Sequence, residues 1–141
     1  MSPTRPGAPR RILVADDDPV IRHLIASVVR NEGYAPVTAE DGREAIRILL
    51  SDAGFGAAVF DLMMPHIEGI DIIRHMRTEK RLMRIPVIMI TSERELGVMR
   101  DGFNAGAALF LPKPFTAEQL QSSLRLLLNK SGAASRPSLS S

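Results

Sequence analysis

Short apolar runs alternate with amphipathic stretches five times along the chain. The runs cover residues 12–15, 35–38, 57–60, 86–90 and 109–112. Each has the length and continuous hydrophobicity of a strand that is buried on both faces. Strands that alternate with helices favour a parallel sheet covered by helices on both sides. The pattern therefore predicts an α/β fold, a five-stranded doubly wound sheet with the strand order 2-1-3-4-5, and Pro36 places the second strand at a sheet edge.

The amphipathic stretches predict five helices, and most of them begin with a recognisable capping pattern. The patterns are Asp18 with Pro19, Asp41 with Glu44, Ser92 with Glu95, and Thr116 with Gln119, while the third helix is predicted from Gly69 to Met76. The fourth helix, residues 94–104, contains two glycines, which cost about 1 kcal/mol each relative to alanine. We expect this helix to be the most mobile of the five.

Polar side chains follow four of the predicted strands. Aspartates 16–18 follow the first strand, Asp61 ends the third, Thr91 ends the fourth and Lys113 follows the fifth. Because parallel strands end at one edge of the sheet, these groups should converge there. Adjacent carboxylates at the end of a buried strand repel each other and resist desolvation, so a divalent cation is the simplest compensation. The inventory of acids, hydroxyl and ammonium predicts a site for magnesium and phosphate.

Composition limits the alternatives. The 141 residues suffice for one domain, contain no cysteine, and include no apolar run near the ~20 residues that span a bilayer. We therefore expect a cytoplasmic protein without a membrane partner. Five of the 18 basic residues lie in the chain ends and all 16 acidic residues lie within residues 12–129, which leaves that segment with a net charge of −3. The remaining basic cluster, between Arg74 and Arg84, is interpreted as a solvated helix end, so no direct nucleic-acid partner is predicted.

The two ends of the chain are rich in Pro, Gly, Ser and Ala and lack a hydrophobic period. Residues 1–10 are predicted to be a mobile basic leader, residues 11–129 a single domain, and residues 130–141 a mobile tail or linker fragment. No output-domain pattern follows Asn129, which fits either a stand-alone domain or one domain of a longer protein.

Four segments together resemble a known family. ILVADDDP, FDLMMPHIEG, PVIMITS and GAALFLPKPF occur in the order and spacing of response-regulator receiver domains, the phosphoacceptor modules of two-component signalling. The resemblance covers residues 11–129. It implies a flavodoxin-like fold, Mg²⁺ as cofactor, a histidine kinase or phosphotransfer protein as donor, and a downstream protein target. Such a module is a signalling phosphoacceptor that catalyses its own phosphorylation and dephosphorylation rather than an enzyme with a separate substrate.

The resemblance also implies roles for individual residues. Asp61 would accept the phosphoryl group, which Thr91 and Lys113 would contact. Asp17, Asp61 and the Met63 carbonyl would bind Mg²⁺ directly, and Asp16 would bind the ion through water. The Lys113–Pro114 bond would be cis, and Phe110 would be the aromatic residue that switches position on phosphorylation. The surface formed by the fourth helix, fifth strand and fifth helix would change on phosphorylation and select a partner or a second copy of the chain.

Two alternatives remain. Residues 16–20 fit the D-x-D-x-[TV] motif of haloacid-dehalogenase-type phosphatases, which would make Asp16 the nucleophile, but this leaves Asp61 unexplained and only Glu118 as an acid after Lys113. The second alternative is a receiver that acts by protein binding without phosphate, for which a missing acid, threonine or lysine would be the sign, and none is missing. The cognate kinase, the target and pathway, the oligomeric state and the lifetime of the phosphorylated form have no signature in the sequence.

Overall fold

A computed structural model of the chain describes residues 10–92 and 96–133. Within this part, five parallel strands form a single sheet: β1 (Arg11–Ala15), β2 (Ala35–Ala39), β3 (Phe55–Asp61), β4 (Val87–Thr91) and β5 (Leu109–Pro112). Their order is β2-β1-β3-β4-β5, which confirms the predicted topology and the edge position of β2. The carboxyl ends of β1, β3 and β4, the three central strands, therefore lie side by side.

Six helices occur in the described residues, one more than predicted. They are α1 (Pro19–Asn31), α2 (Gly42–Ser51), α3 (Gly69–Arg77), α4 (Lys80–Met83), α5 (Leu96–Ala105) and α6 (Ala117–Ala133). The additional helix, α4, is a single turn anchored by the fully buried Leu82, and so short a segment has no period to recognise. The predicted fourth and fifth helices are thus α5 and α6.

The start of α5 and the end of α6 lie near two of the predicted boundaries. The helix α6 continues to Ala133, beyond the domain end predicted at residue 129. The capping pattern predicted for α5, Ser92 with Glu95, lies partly outside the described residues, because residues 93–95 are not among them. Residues 1–9 and 134–141 of the predicted leader and tail also lie outside.

Apolar layers pack on both faces of the sheet. Successive residues of a strand point to opposite faces, so Leu13 and Ala15 pack with α2 and α3, whereas Ile12 and Val14 pack with α1 and α6. Phe60, in the central strand β3, is fully buried. This two-sided burial explains why the strands are continuously apolar rather than alternating. None of the helices in the described part of the chain is long and apolar enough to cross a membrane.

Several predicted caps are present and direct the chain away from the sheet edge. The Oδ1 atom of Asp18 accepts hydrogen bonds from the backbone of Val20 at 2.9 Å and Ile21 at 3.5 Å, which makes Asp18 the cap of α1. Thr116 and Gln119 form the reciprocal bonds of a capping box at the start of α6. Asp18 and Thr116 thus mark the starts of the helices that follow β1 and β5.

Arginines of the basic cluster bind carbonyl groups at the ends of neighbouring helices. Arg81 donates to the carbonyls of Leu49 and Leu50 at the end of α2, and Arg77 donates to the carbonyl of Ala105 at the end of α5. Such contacts satisfy carbonyl groups that have no partner within their own helix. This agrees with the interpretation of the cluster as helix-end residues.

Candidate functional site

Three carboxylates converge at the carboxyl edge of the sheet. Asp16 follows β1, Asp17 comes next, and Asp61 ends β3, the neighbouring strand. One carboxylate oxygen from each residue lies within 4.8 Å of the others. Asp16 is completely buried and Asp61 is 5% exposed, whereas Asp17 is exposed. The cluster therefore has a buried floor and one carboxylate on the solvent side.

Lys113 lies against the same cluster. Its Nζ atom is 3.3 Å from Oδ2 of Asp61 and 3.7 Å from Oδ2 of Asp16. The backbone amide of Lys113 donates to the carbonyl of Thr91 at 2.7 Å, and the peptide bond between Lys113 and Pro114 is cis, as the family resemblance implies. The loop after β5 is thus attached to the end of β4, which brings the ammonium group over the carboxylates.

Thr91 occupies the intermediate position on the sheet edge. It is the last residue of β4 and is 2% exposed, and β4 lies between β3, which carries Asp61, and β5, which precedes Lys113. Thr91 therefore ends the strand that lies between the strand of Asp61 and the strand that precedes Lys113.

Asp16 is held by an unusual set of contacts. Its Oδ1 atom accepts the backbone amide of Asp18 at 2.9 Å, and its backbone carbonyl accepts Nη1 of Arg22 at 2.9 Å. Its Oδ2 atom is buried and has no hydrogen-bond partner among the described residues, since Lys113 at 3.7 Å is beyond hydrogen-bond distance. A buried carboxylate oxygen without a partner is costly.

Burial and charge raise the pKa of the two buried acids. The pKa of Asp16 is raised from 3.8 to about 6, first by burial and then by the negative charges of Asp61 and Asp17, against the opposing effects of the Asp18 amide and Lys113. Burial also raises the pKa of Asp61, while Lys113 and the Met63 amide act in the opposite direction. Burial thus disfavours the ionised form of both acids, an effect that a bound divalent cation would oppose.

The loop between β3 and α3 carries the predicted carbonyl ligand. Met63 is exposed, and its amide donates to Oδ1 of Asp61 at 3.4 Å. The loop returns to the sheet at Gly69, whose amide donates to the carbonyl of Leu62 at 3.0 Å. The carbonyl oxygen of Met63 therefore belongs to a loop that begins and ends at the carboxylate cluster.

The first turn of α2 supports this loop, which the sequence alone did not indicate. A Cβ atom at Gly42 would overlap the carbonyl of Ile67, so only glycine allows this close approach. The neighbouring Arg43 lies 3.1 Å from Nδ1 of His66, a residue with the positive φ of 72°. The pattern at Asp41 predicted where α2 begins but not that this helix contacts the loop after Asp61.

The remaining predicted residues lie outside the carboxylate cluster. Asp18 is exposed and caps α1, as expected. Phe110 is half-buried on β5, where its ring makes an edge-to-face contact with Phe103 at a centroid distance of 4.8 Å. Phe110 is therefore part of the contact between β5 and α5.

The donor atoms of the cluster suit magnesium. Mg²⁺ prefers oxygen ligands and combines one or two carboxylates with water and phosphate. The unpartnered Oδ2 of Asp16 and the exposed carboxylate of Asp17 are two such oxygens, and Asp61 provides a third. The fold and the site together define an α/β module with a buried aspartate in an acidic cluster that could hold a metal ion, at the carboxyl edge of its sheet.

Comparison with known proteins identifies the module. Residues 12–125 match the family described as the response regulator receiver domain. The chain is 36% identical over 122 residues to the response regulator MprA of Mycolicibacterium vanbaalenii, which covers 86% of this chain and 52% of that protein. The chain belongs to the response-regulator receiver family and is thus a domain of two-component signalling. It spans about half the length of the curated relatives that it matches.

Solved structures agree with this assignment. The chemotaxis protein CheY4 of Vibrio cholerae superimposes with a TM-score of 0.80 at 30% identity, covering 86% of this chain and all of that one. The receiver domain of a sensor histidine kinase from Pseudomonas aeruginosa superimposes with a TM-score of 0.78 at 28% identity, covering 86% of this chain and 99% of that one. That structure has a magnesium ion coordinated in its active-site cleft.

Proposed function

We propose that this domain takes a phosphoryl group from a histidine kinase or a phosphotransfer protein onto Asp61 in a Mg²⁺-dependent reaction. The observation that carries the proposal is the position of Asp61. Its buried carboxylate lies 3.3 Å from the Lys113 ammonium and adjoins the carboxylates of Asp16 and Asp17. Family membership supports the same reaction. Because such donors draw on ATP, we place the reaction in the cytoplasm.

In this reaction an oxygen of Asp61 attacks the donor phosphorus. A new phosphorus–oxygen bond forms as the phosphorus–nitrogen bond to the donor histidine breaks, and the product is an aspartyl-phosphate. A carboxylate is a weak nucleophile, so the site must align the donor and neutralise charge on the equatorial oxygens. Lys113 provides a positive charge at 3.3 Å from Asp61, and Thr91 supplies a hydroxyl from the next strand end.

The cation would be held by the acidic cluster. Asp17, Asp61 and the carbonyl of Met63 are the proposed direct ligands, and Asp16 is the proposed ligand through water. When bound, Mg²⁺ supplies positive charge to the acids and to the incoming phosphoryl oxygens. The unpartnered Oδ2 of Asp16 and the raised pKa of Asp16 support this assignment.

The output surface consists of α5, β5 and α6. We propose that phosphorylation changes this surface and so selects a downstream protein or a second copy of the chain. Thr91 ends β4 and Phe110 lies on β5, so a shift of the Thr91 hydroxyl toward a phosphoryl group can alter the packing of Phe110 against α5. Residues 11–129 would form the receiver module.

The phosphatase alternative is less well supported. It requires Asp16 as nucleophile, yet Asp16 is completely buried and its Oδ1 is bound by the Asp18 amide. Asp61 is also closer to Lys113 than Asp16 is, at 3.3 Å against 3.7 Å. A nucleophile must be reachable by the donor phosphorus, which favours Asp61.

Incubation with Mg²⁺ and a small acyl-phosphate donor tests the proposal. Intact-mass measurement should show one added phosphoryl group on the natural chain and on Asp18→Asn, which retains a helix cap. Asp61→Asn should remain unmodified at every donor concentration, and Asp16→Asn should be modified more slowly. Modification that persists in Asp61→Asn but is absent in Asp16→Asn would overturn the proposal in favour of the phosphatase mechanism.

A further inference from the structure

We propose that Arg22 is a positioning residue of the metal site. Its guanidinium holds the end of β1 in the conformation in which the carboxylates of Asp16 and Asp17 face the cation. The inference rests on the proposed Mg²⁺-dependent function, because it concerns the geometry of that site.

The contact that carries the inference is between α1 and the residue after β1. Arg22 is half-buried one turn into α1, and its Nη1 atom donates to the carbonyl oxygen of Asp16 at 2.9 Å. The last paired residue of β1 is Ala15, which lies beside Ala39 of β2. Asp16 is thus the first residue beyond the strand ladder, where the backbone would otherwise be less constrained.

The other contacts of Asp16 show why its backbone needs support. Its own amide donates to the carbonyl of Ala39 at 3.3 Å, a long bond. The Asp18 amide binds Oδ1 at 2.9 Å, and Asp18 is the cap of α1. Besides these contacts, the guanidinium of Arg22 is the side-chain group that binds the carbonyl of Asp16. Loss of Arg22 would leave that carbonyl without this donor.

Charge and geometry predict opposite effects, which makes the inference testable. A guanidinium is permanently positive, so its charge alone opposes the binding of a cation nearby. Its removal should tighten Mg²⁺ binding if charge were the main effect. If Arg22 positions the ligands, its removal should weaken binding instead, because residues that orient metal ligands typically contribute about 10- to 100-fold in affinity.

Arg125 offers a matched control. It is an arginine of α6 whose guanidinium binds Glu32, the residue that follows α1, at 2.8 Å. Arg125→Gln also removes a guanidinium that contacts the α1 region, but at the opposite end from the carboxylates. It should leave Mg²⁺ affinity unchanged, which separates a general effect on α1 from an effect on the site.

Titration calorimetry with MgCl₂ and amide hydrogen exchange in metal-free protein provide two readouts. In Arg22→Gln, Mg²⁺ affinity should fall by about tenfold, and the Asp18 amide, which binds Oδ1 of Asp16, should exchange faster. Arg22→Lys keeps the charge but not the planar donor group, so it should show a smaller loss in both measurements. This second variant also serves if Arg22→Gln does not fold.

The outcomes separate the inference from the proposed function. The role of Arg22 would be overturned if Arg22→Gln bound Mg²⁺ as tightly as the natural chain or more tightly, and if its Asp18 amide exchanged hydrogen at the same rate as in the natural chain. Absence of Mg²⁺ binding to the natural chain would overturn the proposed function. In that case the exchange rate of the Asp18 amide alone decides whether Arg22 holds the end of β1.

Discussion

The ring of Phe110 packs directly on the backbone of Gly102, so closely that a Cβ atom at position 102 would overlap the ring. The same ring contacts Phe103 edge to face with an interplanar angle of 62°. Two adjacent residues of α5 thus hold the aromatic side chain of β5. The glycine that weakens α5 by its conformational freedom is also the residue that allows the ring to approach.

We predict that Gly102→Ala displaces the ring of Phe110 from α5. The added methyl group occupies the space of the ring, so the nuclear Overhauser contacts between the rings of Phe103 and Phe110 should weaken or disappear. Alanine is favoured over glycine within a helix by about 1 kcal/mol, but the overlap should offset this gain in the free energy of unfolding.

Gly97→Ala is the matched control in the same helix. Among the described residues outside the helix's own backbone and the two chain neighbours, nothing lies within 4 Å of a Cβ atom at position 97. This variant should therefore keep the contacts between Phe103 and Phe110 and be neutral or more stable by up to about 1 kcal/mol. If both variants leave the ring contacts intact, the close packing of Phe110 on Gly102 does not govern the position of the ring.

Mg²⁺ binding should depend on Asp17 and not on Asp18. Asp17→Asn removes a charged ligand, so affinity measured by calorimetry should fall by more than about tenfold. Asp18→Asn should bind Mg²⁺ as the natural chain does, because asparagine caps helices about as well as aspartate. Equal losses in the two variants would show that the ligands are misassigned.

The stability of the metal-free protein should fall as the pH rises from about 4 to about 6. The pKa of Asp16 is about 6 in the folded protein and 3.8 without the effects of the fold. The folded state therefore favours the protonated form, and this contribution is complete below 3.8 and lost as the pH passes through about 6. Since a pKa difference of one corresponds to about 1.4 kcal/mol, the loss is on the order of 2–3 kcal/mol.

Urea unfolding with a chelator present, repeated over this pH range, measures the effect. The profile of Asp16→Asn should decline less than that of the natural chain, since asparagine does not titrate, and the remaining decline comes from Asp61, whose pKa is also raised. Saturating Mg²⁺ should restore stability at neutral pH more than at pH 5, because the cation binds the ionised carboxylates. Parallel pH profiles for the natural chain and Asp16→Asn without metal would contradict the prediction.

The sequence alone predicted the sheet and the placement of its polar strand ends. Continuous apolar runs indicated strands buried on both faces, and the ends of parallel strands must share one edge. Asp16, Asp17 and Asp61 could therefore be expected to converge, and their carboxylates do lie within 4.8 Å. The caps at Asp18 and Thr116 were also predictable, because they are local contacts within a few residues.

Contacts between distant segments could not be read from the sequence. The bond from Arg22 to the carbonyl of Asp16 depends on how α1 leaves the sheet, and an arginine on a helix has many possible partners. The approach of Gly42 to Ile67 joins segments that share no local pattern. The helix α4 is too short for a period, and its place in the fold follows from the burial of Leu82. These features arise from tertiary packing rather than from local preference.

The measurement that tests the central claim most directly is the location of the phosphoryl group. Borohydride reduces an aspartyl-phosphate to homoserine, which marks the modified residue permanently for peptide sequencing by mass spectrometry. After incubation with Mg²⁺ and a phosphoryl donor, followed by borohydride, position 61 should be homoserine. Positions 16, 17 and 18 should remain aspartate. Homoserine at position 16 with an unmodified Asp61 would contradict the account and establish Asp16 as the nucleophile.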